Sequence, residues 1–161
     1  MTRRKDVEMH DAMVGWLEQH PMKTAIAVSL TFKPALGERS LTLDAAHNAV
    51  RMYCRMLNSR AYGRAFRKKK KRLAVFPVRE GGSGLYDKHI HYHLQVEVPD
   101  GWNIADWLDA ACEEWKHIRW ASRHQNRFRE VTDANWLSYE LKTRDKPSYA
   151  DAIDWELVTV N

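Results

Sequence analysis

The segment HIHYHLQVEV, residues 89–98, alternates between two kinds of side chain. Successive side chains on a strand point to opposite faces of a sheet, so the three histidines of this segment share one face. Its apolar side chains share the other face: Ile90, Tyr92, Leu94, Val96 and Val98. The alternation predicts a strand over 89–98, ended by Pro99, with its apolar face toward the core and its histidines on the opposite face.

Imidazoles spaced two apart on one strand can bind a single metal ion. Glu80 opens the glycine-rich stretch EGGSGLYDK, which predicts a hairpin turn before the histidine strand. If the hairpin closes between Glu80 and Lys88, the carboxylate lies beside the start of that strand. We therefore predict a metal site formed by His91, His93 and Glu80. An exposed histidine face and a solvated turn residue are the simpler alternatives, and Glu97 lies on the same face but farther along.

The rest of the chain predicts an α+β protein with an antiparallel sheet of about five strands flanked by helices. Helical periodicity and caps predict helices over 6–19, 43–62, 103–118 and 133–144. Besides the histidine strand, apolar or alternating runs predict strands over 24–32, 73–78 and 153–160. Pro77 places the 73–78 strand at an edge or a bulge.

Composition narrows the class of protein. A chain of 161 residues with 44% hydrophobic residues predicts one folded domain over 1–161. No apolar run approaches the ~18 residues of a membrane span, and no secretory signal is evident, so we expect a cytoplasmic protein. Two cysteines, Cys54 and Cys112, exclude a disulfide framework and a four-cysteine zinc site. Both are expected to be small buried side chains.

The net charge of +5 is concentrated in RAFRKKKKR, residues 64–72, where seven of nine residues are cationic. Such a segment suits an anionic polymer such as nucleic acid. The candidate phosphate-binding residues are Arg67, Lys68, Lys69, Lys70 and Lys71. The alternative is a solvated basic loop between two elements.

Tyr139 and Lys142 lie three residues apart in WLSYELKTR and share one face of the predicted 133–144 helix. A tyrosine hydroxyl is a poor nucleophile at its ordinary pKa of ~10, and a nearby ammonium or metal ion would assist it. A buried tyrosine next to a surface lysine is the common alternative for such a pair taken alone.

Together these features resemble the HUH endonuclease superfamily, and within it the replication initiators that carry one catalytic tyrosine. Three motifs occur in the family's order: AVSLTF (27–32), HYHLQV (91–96) and YELK (139–142). His89 and His91 fit the second motif too, but the apolar residues that follow favour His91 and His93. The resemblance implies an HUH/RRM-like palm, and a polar ligand from the preceding strand, which fits Glu80. It spans about residues 25–145. These residues contain one YxxK tyrosine, and we expect no helicase domain.

The resemblance also implies a mechanism. His91, His93 and Glu80 would hold Mn²⁺ or Mg²⁺ at the scissile phosphate of single-stranded DNA, and Tyr139 would attack to form a 5′-phosphotyrosyl link, with Lys142 stabilising charge. Such a DNA strand transferase initiates rolling-circle replication of a plasmid or phage at an origin or hairpin, together with a separate host helicase. The same residues suit a relaxase or a single-strand transposase.

Two other classes remain open at the level of sequence. A DNA-binding module could keep the fold without chemistry, and Tyr139 would then be dispensable. A cupin-like metalloprotein is suggested by His91, His93 and Glu97, which match the HxH(x)₃E core of that pattern. Cupins are barrels of many strands, however, whereas the second half of this chain predicts helices.

Overall fold

The computed structural model describes residues 2–82, 89–132 and 152–161. Its elements, in chain order, are α1 (Thr2–Glu18), β1 (Ala25–Thr31), β2 (Ala35–Leu36), β3 (Arg39–Ser40), α2 (Leu43–Tyr62), α3 (Arg64–Lys68), β4 (Val75–Glu80), β5 (His91–Glu97), α4 (Ile104–Lys116) and β6 (Arg127–Glu130). The predicted 133–144 helix lies outside the described residues.

Four strands form one antiparallel sheet in the order β4-β5-β1-β6. The histidine strand β5 is therefore an inner strand, paired with β4 on one side and β1 on the other. The sheet is flanked by helices, which confirms the predicted α+β class. In the described ranges this sheet has four strands rather than about five, and β2 and β3 form a separate small ribbon.

One face of the sheet carries the main core. Tyr92, Leu94 and Val96 of β5 are fully buried there, as the alternation predicts. Helices α2 and α4 cover this face because each has an apolar stripe at helical spacing. Their largest contributions are Tyr53, Leu57, Trp107 and Trp115.

The opposite face of the sheet carries the histidines and a smaller apolar cluster. Phe76 and Val78 of β4 point to this face and pack with Met13 of α1 and with Ala152 and Ile153. This cluster covers the β4 side of the histidine face, and α1 packs against the sheet there.

Helix α2 has the predicted bounds, Leu43–Tyr62. Its first turn is capped by Thr42, whose hydroxyl accepts a 3.1 Å hydrogen bond from the Ala45 amide. It ends at Gly63, which has a φ of 52° that other residues rarely adopt. The small residue Cys54 packs against the core from this helix, and burial raises the pKa of its thiol to about 12. Cys112 of α4 is half-buried.

Two predicted strands differ from the structure. The strand predicted over 73–78 spans Val75–Glu80. It starts later because the Leu73 amide donates to the Asn58 side chain rather than to a strand partner. Its place at the end of the strand order agrees with the edge position that Pro77 predicts.

The prediction of a strand over 153–160 is wrong. Ile153 and Thr159 each form an isolated bridge to β4, and residues 155–157 between them form a turn. The turn is closed by the Leu157 amide, which donates to the Asp154 carbonyl at 3.0 Å. The segment alternates between apolar and polar residues, but only its two ends pair with the edge strand β4.

Within the described ranges, no helix is long and apolar enough to cross a membrane.

Asn58 joins α2 to the start of the sheet, and we predict that Asn58→Ala destabilises the fold. The side chain is 6% exposed, accepts from the Leu73 amide at 2.7 Å and donates to the Cys54 carbonyl at 2.8 Å. Alanine leaves a buried amide without a partner, so the free energy of unfolding should fall by about 1–3 kcal/mol. Urea unfolding measures this change in the free energy of unfolding, and Asn48→Ala on the exposed side of α2 is the control. Equal losses for the two variants would contradict the assignment.

Candidate metal centre

Glu80, His91 and His93 meet on the histidine face of the sheet. The register pairs Glu80 with His91 across β4 and β5, so the carboxylate lies beside the start of the histidine strand, as predicted. The potential ligand atoms of the three residues all lie within 4.8 Å of one another. We call these three residues the His–Glu cluster.

The cluster is accessible from solvent but not fully exposed. Side-chain exposure is 29% for His91, 15% for His93 and 21% for Glu80. A ligand can therefore reach these side chains, while the surrounding protein restricts their rotamers. His89 is exposed and does not belong to the cluster, which agrees with the choice of His91 and His93.

The hydrogen bonds of His91 favour a cation at its Nε2 atom. Its Nδ1 atom lies 3.0 Å from the His89 carbonyl oxygen, which can only accept, so Nδ1 carries a proton. Its Nε2 atom lies 2.6 Å from the Glu80 carboxylate. In a neutral ring that nitrogen has a lone pair facing the carboxylate oxygen. A positive charge between them, either a proton or a metal ion, is needed to satisfy both atoms.

The ring of His93 is oriented in the same sense by a neighbouring strand. Its Nδ1 atom lies 3.0 Å from the hydroxyl of Ser29, which faces it across β1 and β5. This leaves Nε2 toward Glu80, at 3.4 Å. Histidines that bind metals usually hold the second ring nitrogen in such a hydrogen bond, which fixes the ring and the tautomer. Ser29 lies in the AVSLTF motif but was not predicted as part of the site.

The backbone between the two histidines is fixed from the core side. The Tyr92 hydroxyl donates to the Asp154 carboxylate at 2.8 Å, and His47 Nδ1 lies 2.7 Å from the same oxygen. Burial and the Asp154 carboxylate raise the pKa of Tyr92, so it remains a neutral hydrogen-bond donor. Tyr92 thus links β5 to α2 and to the segment after residue 151.

Two imidazole nitrogens and a carboxylate oxygen fit a divalent cation. Carboxylates suit Mg²⁺ and Mn²⁺, and imidazoles suit Zn²⁺ and Ni²⁺ as well. The described residues offer three ligands, which leaves positions for water or a substrate oxygen on an ion of higher coordination number. The His–Glu cluster is therefore a candidate catalytic metal site rather than a closed structural one.

Two arginines on the same face were missed in the sequence. Ser29 of β1 pairs with His93 of β5 on one side and with Arg127 of β6 on the other. Ala27 of β1 pairs with Arg129 of β6, so both arginines lie on the face that carries the histidines. Both arginines are exposed. Arg127 is two strands from His93, which places the two Cα atoms ~10 Å apart. The alternation of RFRE indicates a strand. Which face of the sheet its arginines occupy depends on the pairing with β1, about a hundred residues earlier in the chain.

The basic segment 64–72 lies away from the His–Glu cluster. Arg67 and Lys68 are in α3, and Lys69, Lys70 and Lys71 follow it, all exposed. Lys71 and Arg72 line a cavity with Glu97, at the far end of β5 from His91. Six residues of strand separate these ends by ~20 Å. The five predicted phosphate-binding residues are thus not adjacent to the predicted metal ligands.

Tyr139 and Lys142 lie outside the described residues, as does Tyr149.

Glu97 accepts hydrogen bonds from the Ala74 amide and the Asn161 side chain, each at 2.8 Å, and is not in the cluster. In the part of the chain that the structure describes, the main sheet has four strands in an open order and is not a barrel. The cupin-like alternative therefore does not fit.

Comparisons of the chain with protein-family models, with curated proteins and with solved structures gave no match. The site geometry and the sequence motifs are therefore the basis for assigning a function.

We predict that the His–Glu cluster binds Mn²⁺ through Glu80, His91 and His93. Substituting any of the three with alanine should weaken binding at least tenfold, since each removes a direct ligand. Ser29→Ala should weaken it by about 10-fold, because an orienting hydrogen bond is lost. Isothermal titration with Mn²⁺ measures these affinities. His89→Ala, which removes an exposed histidine two residues before β5, is the control. If His89→Ala lowers the affinity for Mn²⁺ as much as His91→Ala does, the assigned set of ligands is contradicted.

Proposed function

We propose that this protein is an HUH-type endonuclease that nicks and rejoins single-stranded DNA with Tyr139 as its nucleophile. The observation that carries the proposal is the convergence of two histidine Nε2 atoms and one carboxylate on an accessible sheet face. It is supported by the order of the three motifs in the sequence. The chemistry is that of a DNA strand transferase, and initiation of rolling-circle replication is the biological role that we propose for it.

His91, His93 and Glu80 would hold Mn²⁺ or Mg²⁺ in this proposal. When bound, such an ion withdraws charge from the non-bridging oxygens of a phosphodiester. The Tyr139 hydroxyl gives up its proton and its oxygen attacks phosphorus in line. The bond from phosphorus to the 3′-oxygen breaks, and that oxygen takes a proton. The products are a 5′-phosphotyrosyl link and a free 3′-hydroxyl, and the reverse reaction rejoins the strand.

The cationic residues have separate roles in this proposal. Lys142 stabilises negative charge at the phosphate or at the Tyr139 oxygen. Arg127 and Arg129 lie on the cluster's face of the sheet, where they can bind phosphates next to the scissile one. A single strand would then cross the sheet from β5 over β1 to β6. Contacts between arginines and phosphates position a strand without reading its sequence.

Tyr139→Phe should abolish a covalent adduct between the protein and DNA. A library of single-stranded oligonucleotides with a randomised centre is incubated with Mn²⁺ or with EDTA and run on a denaturing protein gel. A label at the 3′ end should move with the protein, and a label at the 5′ end should appear on a shorter free strand. Tyr149→Phe is the matched control and should retain the adduct.

The outcomes separate the alternatives. An adduct that persists in Tyr139→Phe moves the nucleophile to another tyrosine. An adduct that carries the 5′ label contradicts the proposed polarity. Binding to DNA without an adduct favours a module without chemistry. A relaxase or transposase would give the same adduct and differ in the DNA sequence that the library selects.

Arg127→Ala should weaken binding of single-stranded DNA without changing the affinity for Mn²⁺. Loss of one phosphate contact should reduce the slope of log affinity against log salt by about 0.7. Fluorescence anisotropy with an oligonucleotide gives this slope, and Arg39→Ala, an exposed arginine of β3, is the control. An unchanged slope would exclude Arg127 from the path of the strand.

A further inference from the structure

A second cationic surface lies where the exposed side of α2 meets α3 and residues 69–72. We call it the α2–α3 groove, and it has a volume of about 850 Å³. The cationic residues that line it are Arg51, Arg55, Arg67, Lys70 and Arg72. Arg51 and Arg55 are one helical turn apart, so their side chains lie next to each other on α2. The predicted basic segment supplies three of the five, and α2 supplies two that the sequence did not single out.

These five cations are not neutralised within the described part of the chain. The other residues along the groove are methionines, a serine and a phenylalanine, and none of the five cations forms an ion pair with a described carboxylate. Like charges held this close repel each other and reduce stability. Such an array attracts a polyanion, whose phosphates would replace the missing carboxylates.

The aromatic residues near the groove favour contacts with a phosphate backbone over stacking on bases. The Arg72 guanidinium lies over the ring of Phe66, 5.1 Å from its centroid. The Lys71 ammonium lies over the ring of Tyr62 at 4.8 Å. Proteins that bind unpaired strands offer open aromatic faces to the bases. Here a cation lies over one face of each ring, so contacts with the phosphate backbone of a duplex are favoured over stacking on bases.

The groove and the His–Glu cluster lie on opposite sides of the sheet. Helix α2 packs its buried side on the face that carries Tyr92 and Leu94, whereas His91 and His93 belong to the other face. Arg51 and Arg55 are on the outer side of α2, so the thickness of a helix, ~10 Å, separates them from the sheet. A short strand bound at the cluster does not reach the groove.

We propose that the α2–α3 groove binds the phosphate backbone of double-stranded DNA, independently of the His–Glu cluster. It would hold the protein on a duplex while the cluster acts on an adjoining unpaired strand. The choice of DNA among polyanions rests on the proposed function, whereas the position and charge of the groove do not.

The test compares Arg51→Ala/Arg55→Ala/Arg72→Ala with the control Lys23→Ala/Arg39→Ala/Lys116→Ala, which removes three exposed cations outside both surfaces. Anisotropy is measured with a labelled duplex of about 20 base pairs and with oligothymidine of equal length, over a range of salt. The groove variant should bind the duplex at least tenfold more weakly, with a salt slope reduced by about 2–3. Its thermal stability should be unchanged or higher, because repulsion is relieved.

Several results would overturn the proposal. One is a groove variant that binds the duplex like the wild type, and another is a control variant that loses as much affinity. A third is an equal loss on oligothymidine, which would make the groove a surface for single strands. The tyrosine adduct is assayed separately with short oligonucleotides, where the groove variant should match the wild type. Absence of an adduct in the wild type would remove the proposed chemistry and leave the duplex measurement intact.

Discussion

The pairing register of β5 between β4 and β1 is the constraint on which the His–Glu cluster depends. It places Glu80 opposite His91 and Ser29 opposite His93. A slip of one residue would turn both histidines into the core and expose Tyr92 and Leu94. Burial of each large apolar side chain contributes ~1.5–3 kcal/mol, and a hydrogen bond to the charged Glu80 is of similar size, but a slip would expose every buried apolar side chain of β5 at once. The apolar face of β5 therefore determines where the polar face lies.

The charges of the molecule lie on two sides of the sheet. On the histidine face, Arg127 and Arg129 accompany the cluster, and on the outer side of α2 the groove carries five further cations. A net charge of +5 describes neither surface by itself. In our account, the first surface positions an unpaired strand at the cluster, and the second holds a duplex.

Local patterns in the sequence predicted the long helices that the structure describes and the strand that carries the histidines. The alternation of 89–98 predicted the two faces of β5, and helical periodicity predicted the bounds of α2. Glu80 followed from the position of the hairpin turn. What depends on distant pairing was not predicted: Ser29 and Arg127 belong to the site only because β1 lies between β5 and β6.

The errors have physical causes of the same kind. The segment after residue 152 alternates like a strand, but Asp154 is engaged by Tyr92 and His47, and the backbone turns there. The sequence also does not show where the basic segment lies relative to the metal ligands. Its separation from them follows from the packing of α2 on the core face, which composition and spacing do not reveal.

The most direct test of the account is a crystal structure of the protein soaked with Mn²⁺, examined by anomalous scattering. The account predicts one ion bound by Nε2 of His91, Nε2 of His93 and a carboxylate oxygen of Glu80, each at about 2.0–2.3 Å. It also predicts that Ser29 and the His89 carbonyl keep their contacts with the two Nδ1 atoms. An ion bound elsewhere would contradict the account. So would a cluster that binds no metal and keeps a direct hydrogen bond between His91 Nε2 and the Glu80 carboxylate.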